Sequence, residues 1–165
     1  MTPLRRVPRR AGALLAAVVS CAAAAPHTEP CELVLTEHRS GRELRRLTLN
    51  PALPAATIAF EHSVLATTVL DTYAFRPHAV LVEERFDGMG YGLPHAAGPD
   101  ERLVREGDGW RLELQRDVLP LVVRPLPAQN MRLLLLAGAP LRLAELSSQA
   151  IEIRSQGCAT GTAPR

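Results

Sequence analysis

The stretch FEHSVLATTVLDTY, residues 60–73, decides the fold. It belongs to two runs, Thr57–Val64 and Thr67–Phe75, that are rich in β-branched and aromatic residues. Such runs are typical of β-strands. Only Leu65 and Ala66 separate them, and a link of two residues predicts an antiparallel hairpin.

The rest of the chain repeats this pattern of short apolar runs separated by turn residues. The further runs are Glu32–His38, Glu43–Leu49, Ala79–Phe86, Trp110–Val118, Leu119–Leu126, Met131–Leu136, Leu141–Leu146 and Ala150–Arg154. Residues 87–109 are rich in glycine, proline and charge, and predict a long surface loop of the kind that can cover a site. About nine or ten short strands with this spacing predict one all-β domain, a compact antiparallel β-sandwich or barrel. We expect it over residues 31–154, followed by a C-terminal tail at residues 155–165.

The first 25 residues predict an export signal. Four arginines precede a ten-residue apolar segment, Ala11–Ser20, which is too short for a helix that crosses a bilayer with about 20 residues. Two processing sites compete. Val18-Val19-Ser20-Cys21 is similar to a lipobox, in which Cys21 is lipidated, whereas Ala23–Ala25 is a small-residue signal peptidase site. We therefore predict a periplasmic or cell-envelope protein that contacts a membrane only through a lipid anchor, if Cys21 is modified.

Composition argues against a nucleic-acid partner. The chain has 19 basic residues, all arginine, and 17 acids, but four of the arginines lie in the predicted leader. From residue 26 onward 15 arginines face 17 acids, a balance of −2, without the basic excess of a nucleic-acid-binding domain. A body of this size buries enough surface to fold without a metal or cofactor, and we predict neither. The spacing of His62, His78 and His95 matches no zinc signature.

Two cysteines remain beyond the leader. Cys31 precedes the first predicted strand and Cys158 follows the last. In an oxidising compartment they can form a disulfide. Two separate buried thiols are the alternative, because sequence alone cannot place their Cα atoms within bridging distance.

Polar groups converge in the central hairpin. With a two-residue turn, His62 faces Val69, and Asp71 becomes its diagonal neighbour on one face, together with Tyr73. Ser63 projects from the opposite face, so a serine nucleophile activated by His62 is disfavoured. The imidazole and the carboxylate are then a polar pair buried in the core, a ligand-binding site, or an acid–base pair.

Two other patterns have a structural and a functional interpretation. Gly88, Gly90 and Gly92 are spaced like a phosphate loop, but no helix follows them, so we interpret them as backbone devices at a strand end that also lie beside the candidate site. The arginines of the first turn form a solvated rim or attract a carboxylate, for example that of a small carboxylate ligand. They are Arg39, Arg42, Arg45 and Arg46.

These residues carry a resemblance to a known family. The pattern Phe60-x-His62-Ser63-Val64, Thr67-x-Val69-x-Asp71-x-Tyr73, then Phe86 and Gly90-Tyr91-Gly92-Leu93-Pro94, resembles the bacterial family called domain of unknown function 1850. The likeness spans residues 31–154. Where that family usually has a tyrosine, a proline after the threonine, a glutamate and Gly-Ala-Gly, this chain has Phe60, Thr68, Asp71 and Gly90-Tyr91-Gly92.

The resemblance implies a function class but no activity. It implies a companion of tripartite ATP-independent periplasmic transporters, near whose fused permease subunits such small proteins tend to be encoded. We therefore expect a noncatalytic exported accessory protein that contacts a permease subunit or a small ligand through His62, Ser63, Asp71, Tyr73, Gly90 and Gly92. One alternative is a small hydrolase-like enzyme that uses His62 and Asp71, and another is a structural envelope lipoprotein.

Overall fold

The computed structural model describes residues 29–88 and 92–158. The predicted leader with Cys21, the glycine Gly90 and most of the predicted tail lie outside the described residues. Among the described residues no helix is long and apolar enough to cross a membrane.

The described chain is all-β, which confirms the predicted fold class. Eleven strands form two antiparallel sheets, and two short 3-10 turns, Pro127–Gln129 and Leu143–Glu145, connect some of them. The strands are β1 Glu32–Glu37, β2 Glu43–Thr48, β3 Ala55–Glu61, β4 Thr68–Phe75, β5 Ala79–Asp87, β6 Arg102–Glu106, β7 Gly109–Val118, β8 Leu121–Val123, β9 Arg132–Leu135, β10 Leu141–Arg142 and β11 Ile151–Gln156.

The two sheets differ in size. The small sheet has the order β2-β1-β11-β8, and the large sheet has the order β10-β9-β3-β4-β5-β7-β6. The first and last described strands, β1 and β11, are neighbours in the middle of the small sheet, where Glu32 pairs with Gln156. Of the central strands of the large sheet, β3 and β4 overlap the two runs on which the fold prediction rests, and β5 is the next strand along the chain.

One hydrophobic core lies along the inner faces of the sheets. On β4 the alternate residues Val69, Tyr73 and Phe75 are buried in it, while the intervening residues are partly exposed. This period of two is the pattern that sequence periodicity predicts for a strand with one buried face. Phe75 is 1% exposed, and burial of such a side chain contributes about 1.5–3 kcal/mol to folding.

The predicted two-residue hairpin turn is wrong. Strand β3 ends at Glu61, and four residues, Ser63–Ala66, form the turn, which the His62 amide closes by donating to the Thr67 carbonyl at 2.8 Å. Leucine and alanine do not supply the two positive-φ residues that a tight hairpin turn requires, and here Ala66 alone adopts φ 52°. The longer turn shifts the pairing of β3 with β4 by two residues from the predicted register.

The prediction of an unbroken loop over residues 87–109 is also wrong. Strand β6 lies within that segment and pairs with β7 through a turn at Gly107, which adopts φ 59°. Arg102, Arg105 and Glu106 are exposed because β6 is an edge strand of the large sheet. An edge strand with charged residues on both faces has no apolar alternation for sequence analysis to detect.

The two ends of the described chain are covalently joined. Cys31 and Cys158 form a disulfide with Cα atoms 4.3 Å apart, so of the two states left open above, the structure contains the bridged one. Strand β11 continues through Gln156, two residues beyond the predicted domain end at Arg154.

Candidate functional site

Two carboxyl groups lie side by side on the inner face of the large sheet. Asp71 of β4 pairs with Ile58 of β3 on one side and with Glu84 of β5 on the other. It shares the inward face with Val69 and Tyr73. Directly opposite residues on antiparallel strands have Cβ atoms about 4.5–5.5 Å apart. The structure therefore places a carboxylate pair in an otherwise apolar wall.

A bulge in β5 brings Glu84 to this face. In an unbroken strand Glu84 would lie on the face opposite to Leu81, which is buried in the core. The register shifts here, because Tyr73 pairs with Leu81 while its neighbour Thr72 pairs with Glu83. The extra residue in β5 rotates the following side chains to the other face.

The environment of the pair opposes ionisation. Burial, together with the neighbouring Glu84 carboxylate, raises the pKa of Asp71 to about 7. The Oδ1 atom of Asp71 is buried and has no hydrogen-bond partner in the part of the chain that the structure describes. Burial also raises the pKa of Glu84, an effect that the Arg116 guanidinium opposes and the Glu101 carboxylate reinforces. Near neutral pH the pair thus holds a buried acceptor that no described residue satisfies.

Tyr73 adds a hydroxyl group to the same wall. Its side chain is buried, and burial together with the Asp71 and Glu84 carboxylates raises the pKa of the phenol. The hydroxyl group therefore stays protonated at physiological pH.

An ion pair stands at the rim of the carboxylate pair. Arg116 of β7 pairs with Leu81, and its Nη2 donates to Oε1 of Glu101 at 3.0 Å. The Gly98 amide donates to the other oxygen of Glu101 at 2.9 Å, and this bond, more than Arg116, lowers the pKa of that carboxyl group. Because Arg116 already pairs with Glu101, its guanidinium group compensates the negative charge of Glu84 only in part. Beside Glu101 lies a cavity of about 500 Å³, lined by Gly98, Pro99, Asp100, Glu101 and Gln115.

The predicted pairing of His62 with Asp71 is wrong. Asp71 pairs with Ile58, four residues before His62, and four residues of strand span about 13 Å. The His62 ring instead accepts bonds at Nδ1 from the amides of Val64 and Leu65, each at 3.3 Å. His62 therefore stabilises the turn between β3 and β4. It lies too far from Asp71 for the two side chains to form a hydrolase site.

The other predicted contact residues are dispersed. Ser63 is exposed within the turn, and Gly92 is exposed with φ 92°. Gly88 also adopts a positive φ, 80°, which fits the interpretation of these glycines as backbone devices. Their contact with a ligand or partner stays a prediction. Among the described residues no group of three or more histidine, cysteine or acidic side chains is arranged to hold a metal ion.

The arginines of the first turn divide into two kinds. Arg42 pairs with Glu37 at 3.0 Å, and Arg46 pairs with carboxylates on both sides. Arg39 and Arg45 form no ion pair with a described residue. All four arginines are exposed, so they differ in their ion pairs and not in their contact with solvent.

Sequence reasoning missed Glu84, Glu101 and Arg116. The run AVLVEERF contains two adjacent glutamates, and without knowledge of the bulge neither is distinguishable as the inward one. Glu101 and Arg116 are 15 positions apart and meet only because β6 and β7 form a hairpin.

A comparison with known proteins identifies a family. The model of the family described as Domain of unknown function (DUF1850) matches residues 56–141, which include all but the first residue of β3, all of β4 and β5, and both members of the carboxylate pair. This match confirms the resemblance noted in the sequence. No curated protein and no solved structure matches the chain.

Proposed function

The chain belongs to the domain of unknown function 1850 family, and we propose that it is an exported, noncatalytic accessory protein of a tripartite ATP-independent periplasmic transporter. Its recognition site is the inward pair Asp71 and Glu84, which takes a cationic group. That group is a lysine or arginine side chain of the permease subunit, or the amine of a small solute.

The observation that carries the proposal is the unsatisfied carboxylate pair. Two desolvated carboxyl groups side by side cost folding free energy unless a donor compensates them. The buried Oδ1 of Asp71 has no donor among the described residues, and Arg116 pairs with Glu101. An ammonium or guanidinium group supplies both the positive charge and the N–H donors that are missing.

Two features support the cellular context. The family resemblance implies proteins encoded near fused permease subunits of such transporters. The bridge between Cys31 and Cys158 is of a kind that persists in oxidising compartments outside the cytoplasm. Both fit a protein that works on the outer side of the cytoplasmic membrane.

Co-purification with a fused permease subunit of such a transporter, produced in the same cells, tests the proposal. We expect the tagged protein to retain the permease and the double variant Asp71→Asn/Glu84→Gln to lose it, because the change removes both negative charges with little change in shape. Asp108→Asn is the matched control, since Asp108 is an exposed carboxylate in the turn between β6 and β7. Equal retention by all three proteins would rule out the pair as the recognition site.

Acid–base catalysis by the same pair is the second candidate function. A carboxyl group with a pKa of about 7 beside a second carboxyl group can transfer a proton at neutral pH. A hydrolase substrate screen separates the two functions. Turnover that Asp71→Asn abolishes would favour the enzyme, whereas permease binding without turnover would favour the accessory protein.

A further inference from the structure

A second polar site lies at one end of the small sheet, where three neighbouring strands begin or end. Strand β1 leads into Arg39, strand β8 leads into Arg124, and Gln149 and Ala150 immediately precede β11. The His38 amide donates to the Ala150 carbonyl at 2.8 Å and holds the first and last of these segments together. Arg39, Arg124, Gln149 and Ala150 line a cavity of about 160 Å³.

This cavity is lined by two arginines whose guanidinium groups pair with no described residue. Neither Arg39 nor Arg124 forms a hydrogen bond or an ion pair with another residue of the described chain, and both are exposed. The nearby carboxylate of Glu152 is engaged by the His38 ring at 3.0 Å. Two like charges that share a small concave space attract an anion, which relieves their mutual repulsion.

We propose that this cavity binds a small oxyanion, a carboxylate or a phosphate group, between Arg39 and Arg124. Each guanidinium presents N–H donors in a planar fork that matches the two oxygens of such a group. Pockets for drug-sized ligands have volumes of about 300–1,000 Å³. This cavity is smaller, so it admits a small anion or the head of a larger molecule.

The oxyanion site is independent of the carboxylate pair. It lies at the small sheet. Of its four lining residues, only Arg124 falls within the residues that the family model matches. The two sites also have opposite charge. One therefore stays testable if the other fails.

Titration of the purified, disulfide-bonded protein with sodium phosphate and with sodium succinate, at constant ionic strength, tests this site. The readout is the Nε–Hε resonances of Arg39 and Arg124 in ¹⁵N spectra. We expect saturable shifts for at least one anion. Arg39→Gln and Arg124→Gln should each weaken binding about tenfold or more, because each removes one charge-assisted donor fork. Arg45→Gln is the control, since Arg45 is an exposed arginine of β2 that forms no ion pair with a described residue, and its replacement changes the net charge equally.

Vesicles distinguish a free anion from a lipid headgroup. Saturable binding of phosphate or succinate identifies a soluble ligand, whereas binding only to phosphatidylglycerol vesicles, and not to phosphatidylcholine vesicles, identifies a headgroup phosphate. Either result supports the oxyanion site if it depends on Arg39 and Arg124. The proposal is overturned if neither probe binds saturably, or if Arg45→Gln weakens binding as much as Arg39→Gln does.

Discussion

At the scale of single residues, Asp71 carries a carboxyl group in an environment that opposes its ionisation. Its side chain lies on the inward face between Ile58 and Glu84, and one of its oxygens is buried without a donor from residues 29–88 or 92–158. The folded protein would be more stable with an apolar, strand-forming residue at this position. Groups of this kind are common at binding sites, where the ligand completes the interaction.

The raised pKa of Asp71 predicts how stability depends on pH. Its folded-state pKa of about 7 exceeds the value of about 3.9 in an unfolded chain, so the folded protein binds more protons between those values. The free energy of unfolding therefore falls as the pH rises from about 4 to about 7. We expect Asp71→Asn to stabilise the protein by about 1–3 kcal/mol at pH 8 and to have little effect at pH 4.5.

Urea denaturation at the two pH values measures this effect. Asp108→Asn serves again as the control, because Asp108 is exposed and its replacement should leave the stability nearly unchanged at both pH values. An Asp71→Asn variant that is less stable than the wild type at pH 8 would show that the ionised carboxylate has a compensating partner.

Gly157 provides a second prediction for a single residue. It adopts φ 69°, and an added Cβ atom would lie 2.3 Å from the Pro30 carbonyl oxygen. Gly107 adopts φ 59° but has open space around it, so it is the matched control. Both alanine variants carry the cost of the left-handed conformation, about 1–2 kcal/mol. Gly157→Ala should lose about 1–3 kcal/mol more because of the steric clash, as measured by urea denaturation. Equal losses would mean that Pro30 moves freely.

At the scale of elements, the turn between β3 and β4 depends on the His62 ring. Its Nδ1 accepts the amides of Val64 and Leu65, and loss of such bonds costs about 0.5–1.5 kcal/mol. We therefore expect His62→Ala to lower the free energy of unfolding by that amount. His62→Asn should restore much of it, because an asparagine oxygen can accept the amide two residues further on. If thermal denaturation shows equal losses for both variants, the ring acts through its size instead.

The sequence predicted the strands well because their periodicity depends on local chemistry. Alternation of apolar residues in Thr67–Phe75 follows from one buried face, and β4 has nearly those bounds. The bulge in β5 has no such local signal, because two adjacent glutamates satisfy either register equally well. That bulge, and not the predicted His62 contact, gives Asp71 its partner. The fold class was therefore predictable, whereas the pair of carboxyl groups was not.

At the scale of the whole molecule, the two ends of the chain meet in the small sheet. Strands β1 and β11 pair along six residues each, and this pairing brings Cys31 and Cys158 to the same end of the sheet. The sequence could not decide between a bridge and two free thiols, because the distance between the cysteines depends on a strand pairing that spans the entire domain.

The bridge constrains the unfolded chain, so its removal should destabilise the fold. It links residues 127 positions apart, and closing so long a loop stabilises the fold by about 4–5 kcal/mol in the chain-entropy description. The variant Cys31→Ala/Cys158→Ala should lose about that amount in urea denaturation. Reductant should lower the stability of the wild type toward that of the variant and leave the variant itself unchanged, which controls for other effects of the reagent. If reductant did not lower the stability of the wild type, and the double variant were as stable as the wild type, packing between β1 and β11 alone would hold the chain ends together.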